Sequence, residues 1–302
     1  MTATEFSPRM KAAARQYSIE YIDTVRYCLI KEFFRRLNSC DEAHGLVLRG
    51  SFLVRLLTDT IGKERSVDLL YLDAPYNISV GDMYDLIEKI VTSDPEQSEI
   101  ELSLLSVNEL EEQKCYKGFS INLIGCIGSV KLGFKVNIGL DDVLYHEAEM
   151  TELPSITEDE PSIECLTYPV EEIIAEKLDI LLRRFELDRP MRHLYDIYEL
   201  SYTFDFDGYE LQKAVRSTLE HRKNDCNFER LKQIGTLHDD ESMLMAWQHF
   251  KRINNYGESF ETVLTRVLNF LEPIWNSIKQ EKRWSREWSA TSGRWNDPMY
   301  LY

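Results

Sequence analysis

Apolar and polar residues alternate along this chain with two different rhythms. Up to about residue 145, short apolar runs of strand length are interleaved with helical stretches. Beyond about residue 165 the period is helical almost throughout. Residues 9–38 place Ile19, Tyr21, Ile22, Val25, Cys28, Leu29, Phe33 and Phe34 along one side, which predicts a single long helix. Residues 45–50 read as a short buried strand ending at Gly50. Residues 51–62 then read as a helix, with Ser51 as its N-cap and Gly62 as its stop. A second strand spans 66–73, and a helix spans 80–92. Three strand-like runs follow at 100–107, 118–127 and 129–140, the last two joined around Gly125 and Gly128 as in a hairpin. Helices are predicted at 169–186, 190–203, 208–223, 226–235, 240–254 and 258–280. The fold class expected is α/β (α+β): a mixed sheet with helices over 1–150, then a mostly α-helical domain over 151–302.

One position breaks the helical pattern. In the 169–186 helix, Val170, Ile173, Ile174, Leu178 and Leu181 form an apolar stripe, and Lys177 projects into its middle. Glu172, Glu176 and Asp179 point the other way. A buried, unpaired ammonium costs several kcal/mol or loses its proton. The stripe therefore implies a fixed anion for Lys177, either an internal carboxylate or a bound phosphate.

Composition narrows the class. The chain has 302 residues, 43% hydrophobic and 29% charged, as in soluble globular proteins. No apolar run is long enough to span a membrane, and the N-terminus lacks the apolar core of a signal peptide. The 6 cysteines are scattered without a C-x-x-C pair, which fits free thiols in a reducing cytoplasm. The net charge of −17 argues against broad, non-specific nucleic-acid binding. The charge is uneven: residues 1–164 carry 16 basic and 29 acidic side chains, residues 165–302 carry 19 and 23. Any polyanion should meet the second half more easily. Residues 146–164 hold 7 carboxylates and no Lys or Arg, and read as a solvated linker or, alternatively, as a surface for a basic partner.

Four segments carry candidate chemistry. Arg49-Gly50-Ser51 joins a strand to a helix, where a glycine admits close backbone approach and the helix N-terminus suits a phosphate. On the next strand, Ser66 and Asp68 share a face with Leu70 and Leu72, so Asp68 is out of pattern there; a carboxylate so placed suits Mg²⁺ or is structural. Asn137 lies on the face opposite the apolar side of its strand, where it ligates, hydrogen-bonds or meets solvent. Asp196 falls in an apolar helix with Leu194, Tyr195, Ile197, Tyr198 and Leu200, and is expected to be partly enclosed. The 6 histidines show no metal-ligand spacing. The tail from Lys282 to Trp288 mixes cations with tryptophans. It reads as a C-terminal helix pinned by those tryptophans, or as a single-strand binder.

In order along the chain stand Gly50-Ser51, Ser66-x-Asp68, Lys135-Val-Asn137, Ile173-Ile-Ala-Glu-Lys177-Leu and Leu194-Tyr-Asp196. The set resembles the AbiEii/AbiGii nucleotidyltransferase toxins, including MenT-type toxins, over roughly residues 20–280. The most specific piece is the run from Tyr168 through Lys177 and Leu178, followed by Leu194-Tyr-Asp196. The resemblance implies a polymerase-β-like nucleotidyltransferase fold and a cytoplasmic toxin–antitoxin or abortive-infection (phage-defence) role with a cognate antitoxin. It also implies NTP and Mg²⁺ as reactants and the 3′ end of an RNA, typically tRNA, as acceptor. Gly50 and Ser51 match the phosphate loop, Ser66 and Arg65 the nucleotide-binding motif, and Asp68 the first metal-binding aspartate. Lys177 matches the lysine of the third motif and Asp196 the acid of the fourth; these two and Asp68 are the implied catalytic set, with a nucleotide phosphate as the counter-ion of Lys177. The chain departs from the family pattern at Leu70, Asn137 and His193, where acids are usual, and at Glu64, where the arginine is displaced to Arg65. Two alternatives follow: a degenerate member acting by nucleotide or partner binding, and transfer to protein hydroxyls.

Overall fold

The computed structural model describes residues 3–60, 65–72, 74–93, 98–110, 117–156, 161–184, 191–224 and 229–298. By internal contacts the chain forms two compact units. One comprises Met1–Asp142 with Ala148–Tyr168, the other Val143–Glu147 with Pro169–Tyr302.

The first unit begins with two helices, α1 (Ala3–Gln16) and α2 (Tyr21–Asn38), where the apolar pattern predicts one. The break has a local cause: Ser18 takes a left-handed φ of 54° and Glu20 an extended one, which no continuous helix permits. Then come β1 (Leu46–Arg49), α3 (Gly50–Leu57), β2 (Ser66–Tyr71) and α4 (Val80–Thr92). Helix α3 ends at Leu57, short of the predicted stop at Gly62, which lies outside the described residues; its N-cap is Arg49 rather than Ser51, which lies inside the helix. A meander follows, β3 (Glu101–Glu109), β4 (Gly118–Ile127) and β5 (Val130–Gly139). Its β4–β5 turn uses Gly128 at φ 55°, whereas Gly125 lies inside β4, where a β-carbon would collide with Leu29 of α2.

The acidic stretch is not a linker. It contributes β6 (Glu149–Leu153) and β7 (Ile163–Thr167), completing a mixed seven-stranded sheet in the order β3-β4-β5-β2-β1-β7-β6. Leu153, Cys165 and Thr167 are buried and fasten these strands, while Glu149, Glu152 and Glu164 face solvent. Composition hid the strands because β6 is an edge strand, paired on one side only, and tolerates charge. The boundary between the units at Tyr168 thus lies later than residue 150. One face of the central strands carries Val67, Leu69, Phe119, Ile121, Leu123, Phe134, Val136 and Ile138, all buried. Phe33 of α2 meets Phe134 edge-on at 6.3 Å on this side.

The second unit is helical: α5 (Val170–Arg184), α6 (Met191–Thr203), α7 (Gly208–His221), α8 (Arg230–Gly235), α9 (Glu241–Asn254) and α10 (Phe260–Lys279). The tail is not a helix. Strands β9 (Glu287–Ser289) and β10 (Arg294–Asn296) join β8 (Phe206–Asp207) in a small antiparallel sheet. Trp288 is buried with its indole N–H donated to Ser201 O at 2.7 Å, and Trp295 stacks on Phe270. The Trp288 ring is packed inside and offers no stacking platform for bases, while Trp284 and Trp295 are half-buried.

Glu152 and Glu164 are direct cross-strand partners on β6 and β7, and both are exposed. Like charges placed so destabilise a sheet. Glu152→Lys should therefore raise the urea midpoint, by about 0.2–1 kcal/mol of stability at low salt, with the gain shrinking at high ionic strength.

Candidate functional site

In the first unit the site grows from a tight backbone contact. β1 ends at Arg49, and Gly50 opens α3 with a φ of 77°, a conformation glycine adopts without strain. A β-carbon at Gly50 would lie 2.6 Å from Asp68 Oδ2 and 2.9 Å from Asp68 Cβ. The first turn of α3 and the Asp68 carboxylate therefore touch. Ser51 is the second residue of that helix, whose dipole favours an anion at its N-terminus.

Strand register extends the site sideways. Arg49 faces Asp68 across β1–β2, and Asp68 faces Asn137 across β2–β5. Asn137 Nδ2 donates to Asp68 Oδ1 at 2.8 Å. Arg49 is held by Asp142 at 3.0 Å and lies over the Tyr168 ring at 5.9 Å. Gly139 makes room for it, since a β-carbon there would collide with the guanidinium. Ser66 lies on the Asp68 face two residues earlier, and its hydroxyl has no partner among the described residues. Arg65 is exposed at the start of the strand.

The donor set fits one substrate-borne Mg²⁺ better than two resident ions. Mg²⁺ is commonly held by one or two carboxylates plus substrate phosphates and water, and Asp68 supplies one carboxylate. Asn137 presents its amide nitrogen, a donor, to Asp68; metal ligation by Asn137 would require its amide oxygen instead. Among the described residues no cluster of three or more His, Cys, Asp or Glu side chains is disposed to hold a metal.

In the second unit, Lys177 and Asp196 are each 2% exposed, and Lys177 Nζ donates to Asp196 Oδ2 at 2.6 Å. Of the two anions implied by the apolar stripe, the partner present is the internal carboxylate, where the family resemblance implied a phosphate. Ile173, Ile174, Leu178 and Leu181 are buried around the stripe as expected. The opposite side of α5 is buried as well. Asp179 pairs with Arg183 at 2.8 Å and Arg222 at 3.1 Å. Glu172 accepts from Tyr145 N at 3.1 Å and from His146 N at 3.0 Å, and it meets His146 Nδ1 at 2.9 Å. One turn before Asp196, the ring of His193 has an enclosed Nδ1 without a hydrogen-bond partner. Burial, with the nearby Lys177 charge second, pushes His193 down from 6.5 to about 4, so the ring is neutral near pH 7.

The sequence model for "Nucleotidyl transferase AbiEii toxin, Type IV TA system" matches residues 33–266. The chain belongs to the AbiEii nucleotidyl transferase toxin family. No curated protein sequence matches it. Two solved structures from Helicobacter pylori share the fold. JHP933 aligns with a TM-score of 0.50 and 12% identity, covering 85% of this chain and 94% of its own. A presumed nucleotidyltransferase aligns with a TM-score of 0.50 and 10% identity, covering 86% of this chain and 99% of its own. The mixed sheet flanked by helices is accordingly the fold that these two structures share.

Within this AbiEii member the structure brings Gly50, Ser51, Ser66, Asp68 and Asn137 together in the first unit, and Lys177 with Asp196 in the second. Arg49 was missed as a neighbour of Asp68, because its register is invisible without strand pairing. Glu172 and His146 were missed because their contact spans 26 residues. Among the cations of the helical half, Arg222 is engaged internally with Asp179 and Lys213 with Glu210 at 2.9 Å.

Breaking a buried ion pair by removing one partner costs about 3–5 kcal/mol. Lys177→Met and Asp196→Leu should each lose about that much in urea unfolding, while the double variant recovers most of it. His193 gives a pH signature. Between pH 6.5 and about 4 the unfolded chain binds a proton that the folded ring resists, so stability falls as pH drops through that window. His193→Gln should make this decline shallower, read as urea midpoints at pH 7 and pH 5.

Proposed function

We propose that this protein is a toxin that moves a nucleotidyl group from an NTP to the 3′ hydroxyl of an RNA, with tRNA as the acceptor class. The observation that carries the reading is the contact of Asp68 with Gly50 at the head of α3. It joins a metal-suited carboxylate to a phosphate-suited helix N-terminus within one unit. In the transfer, the acceptor oxygen bonds the α-phosphorus while the bond from that phosphorus to the bridging oxygen breaks. Pyrophosphate leaves, and the hydroxyl proton is released to solvent. Asp68 would hold the Mg²⁺ carried with the triphosphate, which would supply charge neutralisation on the phosphates. Ser51 and the first-turn N–H groups of α3 bind the leaving phosphates, and Ser66 and Arg65 flank the nucleotide. Asn137 fixes the Asp68 carboxylate through its hydrogen bond. Lys177 is read as the charge-stabilising cation of the family's third motif and Asp196 as its positioning residue. The chemistry is cytoplasmic, and an antitoxin encoded with the toxin restrains it.

A second reading is favoured by one specific feature, the replacement of further acids at Leu70 and Asn137. On that reading the protein binds nucleotide and acts through a partner without transfer.

Purified protein incubated with labelled NTPs, Mg²⁺ and total tRNA separates the readings. Label on RNA is expected, reduced about 100-fold or more in Asp68→Ala and Lys177→Ala. Nucleotide binding without any transfer establishes the second reading, and label on protein moves the acceptor to protein hydroxyls.

A further inference from the structure

The polar side of the sheet does not end at Asp68. Asn137 faces Ser120 across β5–β4, and Ser120 faces Asn108 across β4–β3. One step along the strands, Ser66 faces Lys135, Lys135 faces Asn122, and Asn122 faces Ser106. Direct cross-strand partners share a face, so these side chains form two rows running outward from Asp68. All are at least partly exposed. The opposite face of the same strands is the apolar core. Neighbouring strands are about 4.8 Å apart, so the rows extend about 14 Å beyond the Asp68 strand.

The rows are partly organised and partly open. Asn122 Nδ2 donates to Ser106 Oγ at 2.8 Å, and Asn108 Nδ2 donates to the same oxygen at 3.2 Å. Among the described residues, the Asn122 amide oxygen, the Ser120 hydroxyl and the Lys135 ammonium have no partner. The first unit is strongly acidic, so generic attraction of a polyanion is weak there. Small neutral amides and hydroxyls suit base edges and 2′-hydroxyls, which is how single-stranded RNA is read.

Reaction geometry selects which reactant lies on these rows. In phosphoryl transfer the attacking and leaving oxygens stand roughly in line. The leaving pyrophosphate is assigned to Gly50 and Ser51, which follow β1 on one flank of Asp68. The attacking hydroxyl then arrives from the other flank, where β5, β4 and β3 lie. We infer that the polar face of β3, β4 and β5 seats the terminal nucleotides of a single-stranded RNA acceptor. Asn122 and Ser120 contact base edges or 2′-hydroxyls, and Lys135 contacts one phosphate. This inference rests on the transfer reading above.

A fluorescein-labelled ten-nucleotide RNA of mixed sequence, with a free 3′ hydroxyl, probes the face by anisotropy on the full chain without NTP. Asn122→Leu combined with Lys135→Ala should raise the Kd for this RNA about tenfold or more, the loss of one or two hydrogen bonds and a charge contact. The thermal shift produced by Mg²⁺ with a mixture of the four NTPs should be unchanged. Lys135→Glu alone, at an exposed position, should weaken RNA binding in a protein of unaltered melting temperature. The inference is overturned if the wild type does not bind the RNA, if the Kd of the variants stays within about twofold of the wild type, or if the NTP shift is lost in parallel. That last result would put the nucleobase of the NTP on this face. An inactive chain that still binds RNA through Asn122 and Lys135 would sink the transfer reading alone. An active chain whose RNA affinity ignores both residues would sink this inference alone.

Discussion

The absence of a β-carbon at Gly50 is the constraint on which the first unit's chemistry depends. With 2.6 Å available between that position and Asp68 Oδ2, any other residue would push the carboxylate off the head of α3. Positive φ compounds the restriction, because an L-residue there carries backbone strain. The glycine therefore sets a distance between an anion-binding helix end and a carboxylate. Asp68 is then fixed from its other side by Asn137, and Arg49 stands next in the row, anchored by Asp142 and Tyr168. A carboxylate held so rigidly needs little reorganisation to meet a cation, the condition under which electrostatic stabilisation is most effective.

The second unit solves a different problem. Lys177 is buried within an aliphatic stripe of α5, and one short hydrogen bond to Asp196 makes that position tolerable. A pair this enclosed contributes little net stability compared with apolar replacements of similar size, yet removal of either half is costly. Neutral His193, one turn from Asp196, adds no competing cation to the same helix near pH 7.

Much of this was legible in the sequence, for identifiable reasons. Lys177 stood out because a helix of regular period makes a misplaced charge visible. Asp68 stood out because it interrupts a strand face that carries Leu70 and Leu72, and Asn137 because strand alternation put it on the non-core side. The break at Ser18 was hidden, since apolar residues continue across it and a left-handed φ at serine leaves no compositional mark. β6 and β7 were hidden by their carboxylates, because an edge strand with one solvated face need not look apolar. The tail's tryptophans were ambiguous because rings that pack and rings that stack on bases have the same composition. The cross-sheet rows beyond Asp68 required register, which links residues more than 10 apart and cannot be read from local pattern.

The clamp made by Glu172 has a consequence for the way the chain can be divided. The helical unit is not a continuous piece of sequence, because Val143–Glu147 belongs to it while Ala148–Tyr168 does not. Glu172 is 2% exposed, and the donors facing it come from Tyr145 and His146. A polypeptide starting at Pro169 would keep every helix and still strand that carboxylate in the interior. The five-residue loop thus acts as a non-contiguous part of the helical unit, and the ability of that unit to fold is encoded on both sides of an intervening β-hairpin.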